Sequence, residues 1–157
     1  MEIWLISDTH FGHKNIERLC SRPSGWERVL EQNLQQINSE DVLIHLGDVA
    51  FNWKNLYNQR FLQLPCTKWL VRGNHDKRNC QWYIKNGWDI CVNSFSFDYL
   101  GKTLLFTHTP KTNFEQDFNI HGHLHNNQEA PSTRHILVKL EHEYRPILLD
   151  EVIKNNT

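Results

Sequence analysis

Three of the ten histidines in this sequence lie within five residues, at His121, His123 and His125. If this segment is extended, alternate side chains share a face, so the three imidazoles would point the same way. Gly122 lets the backbone turn there, or lets it approach closely whatever the histidines hold. Because imidazole is a common metal ligand, the run suggests a metal site, with an ordinary polar strand end as the alternative.

Carboxylate, amide and imidazole side chains also occur together at four earlier places in the chain. Oxygen and nitrogen donors without a thiolate suit manganese, iron, zinc or nickel better than a soft metal. The candidates are too many for one ion that keeps an open position. They suit two ions that share a bridging carboxylate, an arrangement used for in-line displacement at phosphorus. The seven candidate ligands are Asp8, His10, Asp48, Asn74, His108, His123 and His125.

The charge of such a centre favours a phosphate substrate. Two divalent ions bring roughly four positive charges, and Asp8, Asp48 and one bound hydroxide would cancel about three of them. Asn74 would ligate without cancelling any charge. A phosphodiester carries about one negative charge, so its binding would neutralise the pocket.

Apolar runs that predict buried strands lead into the first three groups of candidate residues. These runs cover residues 2–7, 41–46 and 67–72, and each ends in polar residues. Between these runs lie segments whose apolar residues have helical spacing, although the pattern is weak over residues 53–64. The predicted order is therefore β-α-β-α-β. Such an order implies a parallel sheet, in which ligands gather at the carboxyl ends of the strands. We therefore expect the polar groups to meet at one edge of a sheet.

The sequence also predicts the bounds of two helices. Ser24 and Glu27 have the spacing of a capping box, which predicts that the first long helix begins there. Apolar residues recur at helical spacing from this point to about Asn38. A short helix is predicted over residues 80–86.

The second half of the chain has the pattern of short strands. Residues 95–99 and 103–107 flank a Gly-containing turn and predict a hairpin. A strand over residues 118–120 leads into the histidine run. Residues 135–140 and 144–149 alternate apolar and polar side chains, which predicts two closing strands.

Composition indicates one globular domain, residues 1–157. The hydrophobic fraction is 39%, the aromatic fraction 11% and the formal net charge -1, so an overall basic coat for nucleic acid is excluded. The apolar runs are too short to cross a bilayer. Because the N-terminus also lacks the features of a signal peptide, we expect a cytoplasmic protein without a membrane partner.

The cysteines do not form a recognisable motif. No Cys-x-x-Cys pair is present, which argues against a zinc ribbon or a thioredoxin-type site. We expect reduced thiols, as in a cytosolic protein, rather than two disulfides. The four residues are Cys20, Cys66, Cys80 and Cys91.

Five short motifs together resemble those of the calcineurin-like metallophosphoesterases. In the family's order they are Asp8-x-His10, Gly47-Asp48, Gly73-Asn74-His75-Asp76, His108 and Gly122-His123-x-His125. A single Gly-Asp pair carries little weight, but all five motifs stand in order at predicted strand ends. The resemblance covers essentially the whole chain. It implies an α/β fold, a β-sandwich of two mixed sheets flanked by helices, with a dinuclear metal site at one edge.

The resemblance also implies a role for each motif residue. One metal ion would be held by Asp8, His10 and His125, and the other by Asn74, His108 and His123, with Asp48 bridging the two. His75 would contact the phosphate and protonate the leaving oxygen, and Asp76 would orient it. The nucleophile would be a hydroxide that bridges two divalent ions. We expect manganese, with iron, zinc, nickel or magnesium as alternatives.

Residues near the predicted site are candidates for substrate contact. His13 and Asn15 follow the first ligand pair, and Arg78 follows the third motif. Trp53 and Arg78 could stack a nucleobase and hold a phosphate, although core packing and a solvated charge are the favoured interpretations.

The remaining histidines have simpler interpretations. His45 lies inside an apolar strand and is expected to be a hydrogen-bonded core residue. His121 is expected to support the site rather than to ligate a metal. His135 and His142 are expected to be ordinary, partly exposed residues.

The function implied by the resemblance is that of a phosphodiesterase, because the chain has no inserted segment to enclose a small monoester. The alternatives are a phosphomonoesterase or nucleotide pyrophosphatase with the same centre, and a non-catalytic scaffold. The retromer complex has such a scaffold subunit, but a scaffold is expected to lack metal residues. The substrate would be a phosphate ester, with a nucleotide or a nucleic-acid end as candidates. No obligate protein partner is evident, and a homodimer through exposed hairpin edges is conceivable.

Overall fold

Two β-sheets pack face to face, and helices flank them. The structure is a computed structural model that describes residues 1–125 and 128–156. Each sheet contains both parallel and antiparallel strand pairs, so both are mixed. The predicted sandwich of two mixed sheets is therefore confirmed.

The first sheet carries the predicted parallel strands. Its order is β4-β3-β2-β1-β9, with β1 to β4 parallel and β9 antiparallel to β1. Four-residue strands suffice because these strands are buried on both faces. The strands are β1 (Ile3–Ile6), β2 (Val42–His45), β3 (Thr67–Val71), β4 (Ile90–Val92) and β9 (Ile147–Leu148).

The second sheet is built around the predicted hairpin. Its order is β5-β6-β7-β8, with an antiparallel β5–β6 pair followed by two parallel pairs. The strands are β5 (Ser94–Tyr99), β6 (Lys102–Thr107), β7 (Phe118–His121) and β8 (His135–Leu137).

In the described part of the chain, five α-helices connect and flank the strands. They are α1 (Ile16–Leu19), α2 (Trp26–Leu34), α3 (Leu56–Leu62), α4 (Cys80–Lys85) and α5 (Leu149–Lys154), with a 3₁₀ helix at Leu140–His142. Within the described residues, none of these helices has the length and apolar character needed to cross a membrane.

Side-chain alternation along the first sheet divides the apolar residues between two cores. Leu5 and Ile44 face the second sheet, where they pack with Phe106. Their neighbours Ile6 and Leu43 face the helical layer on the other side. This period of two fixes the register of the strands, since a one-residue shift would exchange the two faces.

Two sequence expectations about elements were wrong. The first long helix is not capped by Ser24, because its N-cap is Gly25 in a left-handed conformation (φ 80°) with no side-chain cap bond. Residues 144–149 do not form a strand of that length either. Only Ile147 and Leu148 pair with β1, and Leu149, Val152 and Ile153 then bury one face of α5 at helical spacing.

Candidate metal centre

The candidate ligands meet where five strands end. Asp8, Asp48 and Asn74 follow β1, β2 and β3 of the first sheet, while His108 and His123 follow β6 and β7 of the second. Backbone hydrogen bonds tie these segments together: Asp8 N–H donates to the Gly47 carbonyl over 3.0 Å, and Gly122 N–H to the His108 carbonyl over 3.0 Å. The predicted convergence at one edge is therefore what the fold produces.

Four of the ligand candidates have a left-handed backbone conformation. They are Asp8 (φ 53°), His10 (φ 47°), Asp48 (φ 60°) and His123 (φ 68°). Residues other than glycine rarely adopt this conformation, which costs roughly 1–3 kcal/mol and persists only where surrounding structure enforces it. Backbone strain at four neighbouring candidate ligands indicates that this part of the structure has a function.

Two motif glycines make room for the carboxylates. A Cβ atom on Gly73 would overlap Asp48 Oδ1, and one on Gly122 would overlap Ser7 Oγ and stand 2.5 Å from Asp8 Oδ2. The backbone can therefore approach the two aspartates only where no side chain intervenes. This requirement explains why glycine precedes the ligand residues in these motifs.

Six of the ligand candidates form two groups of donor atoms. The atoms of each group lie within 4.8 Å of one another, a spacing that can hold a metal ion. Asn74 extends the second group, because its Oδ1 lies 2.9 Å from His108 Nε2. The groups are Asp8, His10 and His125, and Asp48, His108 and His123.

Asp48 stands between the two groups. Its Oδ2 lies 3.8 Å from His10 Nε2 and 3.4 Å from His108 Nε2. Its Oδ1 accepts a hydrogen bond of 2.8 Å from the His75 backbone amide. One carboxylate oxygen therefore faces both groups while the other is fixed by the backbone.

Buried polar atoms without partners show that the site fits divalent cations. Asp8 Oδ1 and both ring nitrogens of His10 have no hydrogen-bond partner among the described residues. Buried polar groups are nearly always hydrogen-bonded, because leaving one unpaired costs about 1–3 kcal/mol. A cation coordinated by these atoms would satisfy them, and the oxygen and imidazole donor set suits the metals named from the sequence.

The charges of the site stabilise one another. Burial alone would raise the pKa of Asp8, but the His10 imidazole and the positive fields of His108 and His125 hold it well below its usual range. Burial would likewise lower the pKa of His108, yet the Asp48 hydrogen bond and the Asp8 and Asp48 charges raise it to about 9. A divalent cation can take over this pairing by displacing the proton of His108.

His75 differs from the ligands in being accessible. Its side chain is 44% exposed, and its Nε2 lies 4.0 Å from Asp48 Oδ2. The ring faces a cavity of about 300 Å³ that is also bordered by His10, His123 and His125. The imidazole can therefore reach a substrate bound at the metal site.

Asp76 has a different role from the predicted one of orienting His75. Its carboxylate accepts hydrogen bonds from the backbone amides of Asp48 (2.8 Å), Val49 (3.1 Å) and Gly73 (2.8 Å). Burial raises the pKa of Asp76 despite these three bonds. Asp76 therefore shapes the loops that present Asp48, and no contact with the His75 ring is found among the described residues.

Two residues that the sequence did not single out support the first group. Glu141 Oε1 lies 3.0 Å from His125 Nδ1 and accepts hydrogen bonds from Arg22 Nε (3.0 Å) and Nη2 (2.5 Å). The same guanidinium donates to the backbone carbonyls of Asp8 (2.6 Å) and Thr9 (2.9 Å). A carboxylate on Nδ1 leaves His125 Nε2 free for a metal.

The residues predicted to contact the substrate differ in their position relative to the cavities. His13 lines the 300 Å³ cavity, and its ring centroid is 4.3 Å from that of Phe51. Asn15 and Arg78 are exposed but line neither this cavity nor the one beside Asn74. Phe51, which the sequence did not indicate, is the aromatic residue of the cavity wall.

His45 and His121 are both fully buried, as expected for supporting residues. His45 Nδ1 accepts from the Gly47 amide (3.1 Å), so its Nε2 carries the proton and donates to Thr9 Oγ1 (3.0 Å). His121 ends β7, and its Nδ1 lies 2.8 Å from the Gly122 carbonyl. His121 belongs to neither group of donor atoms, so the three neighbouring histidines do not share one metal.

Other features follow the simpler sequence interpretations. His135 is half-buried and His142 exposed. Trp53 packs against Trp82, with ring centroids 4.8 Å apart, rather than forming a surface platform. No disulfide joins the four cysteines, all of which lie within the described residues.

Comparison with known proteins places the sequence and the fold among relatives. The family described as calcineurin-like phosphoesterase matches residues 1–153. An uncharacterized protein of Methanocaldococcus jannaschii is 30% identical over 172 residues, covering 98% of this chain and 90% of the relative.

Two solved structures are similar. A protein of unknown function from Aquifex aeolicus superposes with a TM-score of 0.83 and 33% identity, over 98% of each chain. An archaeal phosphodiesterase superposes with a TM-score of 0.53 and 19% identity, over 95% of this chain and all of that one (100%). At that identity the second likeness concerns the fold alone.

Proposed function

Because the chain belongs to the calcineurin-like phosphoesterase family, we propose that it hydrolyses a phosphodiester with two divalent metal ions. The observation that carries this proposal is the position of Asp48 Oδ2, 3.8 Å from His10 Nε2 and 3.4 Å from His108 Nε2. A carboxylate that faces both groups of donor atoms suits a bridging ligand. Centres with two bridged ions are well suited to in-line displacement at phosphorus.

Two kinds of residue contribute to this proposed reaction: Asp8 and Asp48 carry charge, and His75 transfers a proton. Bound divalent ions supply a water activated for attack at neutral pH and neutralise the phosphate oxygens. Asp8 and Asp48 are held as anions, since their pKa values are lowered against the effect of burial by the surrounding histidines. They can therefore keep cations in the site across the neutral pH range.

His75 is the residue suited to act as the general acid. Its backbone amide is fixed on Asp48 Oδ1 at 2.8 Å, whereas its imidazole extends into the cavity beside the donor atoms. The ring can donate a proton to the leaving oxygen as the ester bond breaks. Such proton transfer typically contributes about 10²–10⁴-fold to the rate.

The surroundings of the centre favour a diester over a monoester. The cavity of about 300 Å³ borders His10 and His125, and a second cavity of about 210 Å³ borders Asn74 and His108. A phosphate between the two groups of donor atoms could direct one ester substituent into each cavity. A monoester would use only one of them.

The completeness of the site favours an enzyme over a scaffold of the same fold. A scaffold has no need to keep seven potential metal ligands and an exposed imidazole together, with four of those ligands at strained backbone positions. Here every motif position is occupied by a residue able to ligate or to transfer a proton. The unpartnered atoms of Asp8 and His10 would be costly without a cation.

Hydrolysis of bis-p-nitrophenyl phosphate and p-nitrophenyl phosphate with added Mn²⁺ tests the proposal. We expect metal-stimulated turnover, faster on the diester, and a loss of at least about 100-fold in Asp48→Asn. Asp98→Asn replaces an exposed aspartate of β5 and should retain activity. Absence of metal-stimulated turnover, or equal rates for wild type and Asp48→Asn, would overturn the phosphoesterase assignment. A faster monoester reaction would overturn the preference for diesters.

A further inference from the structure

Phe51 is an exposed aromatic ring beside the candidate centre. It is 47% exposed, and its ring centroid lies 4.9 Å from that of His75 and 5.5 Å from that of His10. Phe51 belongs to neither of the two hydrophobic cores formed by the described residues. Folding therefore gains little from this ring, and its position calls for a functional explanation.

The backbone holds Phe51 in a fixed position. The neighbouring Ala50 forms a β-bridge with Phe11, whose side chain is buried in the core. The amides of Phe51 and Asn52 both donate to the Phe11 carbonyl, over 2.9 and 3.1 Å. The ring thus projects from a rigid support, which lowers the entropy cost of binding a ligand against it.

The cavity beside Phe51 combines metal ligands with an apolar wall. Phe51, Ile16 and the 51% exposed Leu19 line one part of its surface, and His10 and His125 line another. Among the described residues, its lining contains no lysine, arginine, aspartate or glutamate. A charged substituent would find no lysine, arginine or carboxylate side chain to pair with there, whereas a flat uncharged one could cover the Phe51 ring.

The cavity on the other side of the centre has the opposite character. Arg72, Lys111 and Asn93 line it beside Asn74 and His108. Polar or anionic groups of a ligand would be stabilised there by the guanidinium and ammonium charges. The two sides of the site thus select different ester substituents and give a bound diester one preferred direction.

We propose that the substrate carries a flat, uncharged aromatic group on the ester that faces Phe51, and that this group stacks on the Phe51 ring. The inference rests on the proposed phosphoesterase function and adds the class of ester group to it. A nucleobase and a simple aryl group share this chemistry. Loss of one base–aromatic stack typically weakens binding by about ten-fold or more.

Calorimetric titration of the Mn²⁺-loaded protein separates the aromatic contribution from that of the phosphate. Adenosine 5′-monophosphate and ribose 5-phosphate differ only in the base, and phenyl phosphate and methyl phosphate only in the ring. We expect the aromatic member of at least one pair to bind about ten-fold more tightly. An advantage in the first pair identifies a nucleobase, and an advantage in the second pair alone identifies a small aryl group.

Variants of Phe51 then assign the effect to the ring. Phe51→Ala and Phe51→Leu should abolish the advantage, and Phe51→Tyr should retain it. Leu56→Ala, at an exposed residue that lines neither cavity, is the control and should leave the advantage unchanged. Equal affinities within both pairs in the wild type, or an advantage that survives Phe51→Leu, would overturn the inference. Neither result would affect the proposed function, which is tested separately by metal-stimulated diester hydrolysis and its dependence on Asp48.

Discussion

Arg22 and Glu141 connect the turn that carries Asp8 and His10 with the imidazole of His125. Both are buried, at 4% and 8% exposure, and are linked to each other, to His125 and to the backbone of Asp8. A buried ion pair is weak support for stability, because desolvation offsets much of the attraction. Here the pair instead fixes the orientation of the His125 ring and the ring nitrogen that carries its proton. His125 is a candidate metal ligand.

Glu141→Gln should therefore weaken metal binding. The amide can still accept a hydrogen bond, but without its charge it orients His125 less firmly, and we expect Mn²⁺ affinity to fall by about 10–100-fold. Equilibrium dialysis with metal analysis measures this change. Glu143→Gln, two residues away in an exposed ion pair with Arg145, is the matched control and should bind as the wild type does. Unchanged affinity in Glu141→Gln would contradict the role of the pair.

His45 should make stability depend on pH. Burial, only partly offset by Asp8 and Asp48, lowers its pKa from 6.5 to about 3, and its Nδ1 faces the Gly47 amide, so a second proton would oppose an N–H group. Below pH 6.5, His45 binds a proton in the unfolded chain but stays neutral in the folded chain. Stability attributable to His45 is thus complete above pH 6.5 and falls by about 1.4 kcal/mol per unit on acidification towards pH 3.

Urea unfolding between pH 4.5 and 6.5 tests this expectation by comparison with His45→Asn. Asparagine keeps an acceptor for the Gly47 amide but does not titrate, so the variant should lose about one proton from the pH dependence of its unfolding free energy. Parallel curves for the two proteins would show that His45 is protonated in the folded state.

At the scale of single residues, the sequence indicated the candidate ligands but not the residues that support them. The candidate ligands share a chemistry and stand in short motifs, so residue types alone indicate them. Arg22 and Glu141 are 119 positions apart and belong to no motif, and only folding brings them together. No signal in the sequence indicated Phe51, because Trp53 is the more conspicuous aromatic residue nearby. Trp53, however, packs against Trp82.

At the scale of elements, the site depends on how closely strand ends approach one another. The segment after β7 passes so near the end of β1 that His123 N–H donates to Asp8 Oδ2 over 2.9 Å. Gly122 permits this approach, since any Cβ at that position would overlap Ser7 Oγ. The contact joins the two sheets at the place where candidate ligands from both meet.

Gly122→Ala should therefore disrupt the site as well as the packing. Overpacking of this kind typically costs about 1–3 kcal/mol of unfolding free energy, and displacement of His123 and Asp8 should lower Mn²⁺ affinity by at least about ten-fold. Urea unfolding and metal titration measure the two effects. Gly101→Ala is the control: its φ of 74° strains alanine, but nothing lies within 4 Å of the added Cβ. It should lose stability and keep metal affinity, whereas normal metal affinity in Gly122→Ala would contradict the account.

The parallel strands were predictable from sequence because buried strands give apolar runs that end abruptly in polar residues. The C-terminal segment was not, because β9 has two residues and α5 begins directly after it. The apolar run from Ile147 to Leu149 is too short to distinguish an alternating from a helical pattern, and the helical spacing of Leu149, Val152 and Ile153 begins only at its end. Burial of these three side chains in the core that both sheets share decides in favour of the helix.

At the scale of the whole molecule, the candidate metal ligands belong to both sheets. Asp8, His10 and Asp48 follow strands of the first sheet, and His108 and His123 follow strands of the second. The order of these strand ends could be inferred from the residue pattern, but the face-to-face packing of the sheets was implied only by the family resemblance. That packing depends on long-range contacts between the inner faces, such as those of Leu5 and Ile44 with Phe106.

Metal binding should accordingly raise the stability of the entire fold. A ligand at about 100 times its dissociation constant adds about 2.7 kcal/mol per site, which corresponds to a rise in Tm of roughly 5–10 °C for a chain of this size. Differential scanning calorimetry with Mn²⁺ and with EDTA measures the shift, and Asp48→Asn should show a smaller one. An identical Tm under both conditions would contradict a metal centre that spans the two sheets.

The central claim, that two ions act together in diester hydrolysis, is tested most directly by titrating metal-free protein with Mn²⁺. Bound metal and the rate of bis-p-nitrophenyl phosphate hydrolysis are measured in the same samples. We expect little turnover up to one bound ion per chain and a rise that reaches its plateau at two. Full turnover with one bound ion, or turnover independent of metal, would contradict it.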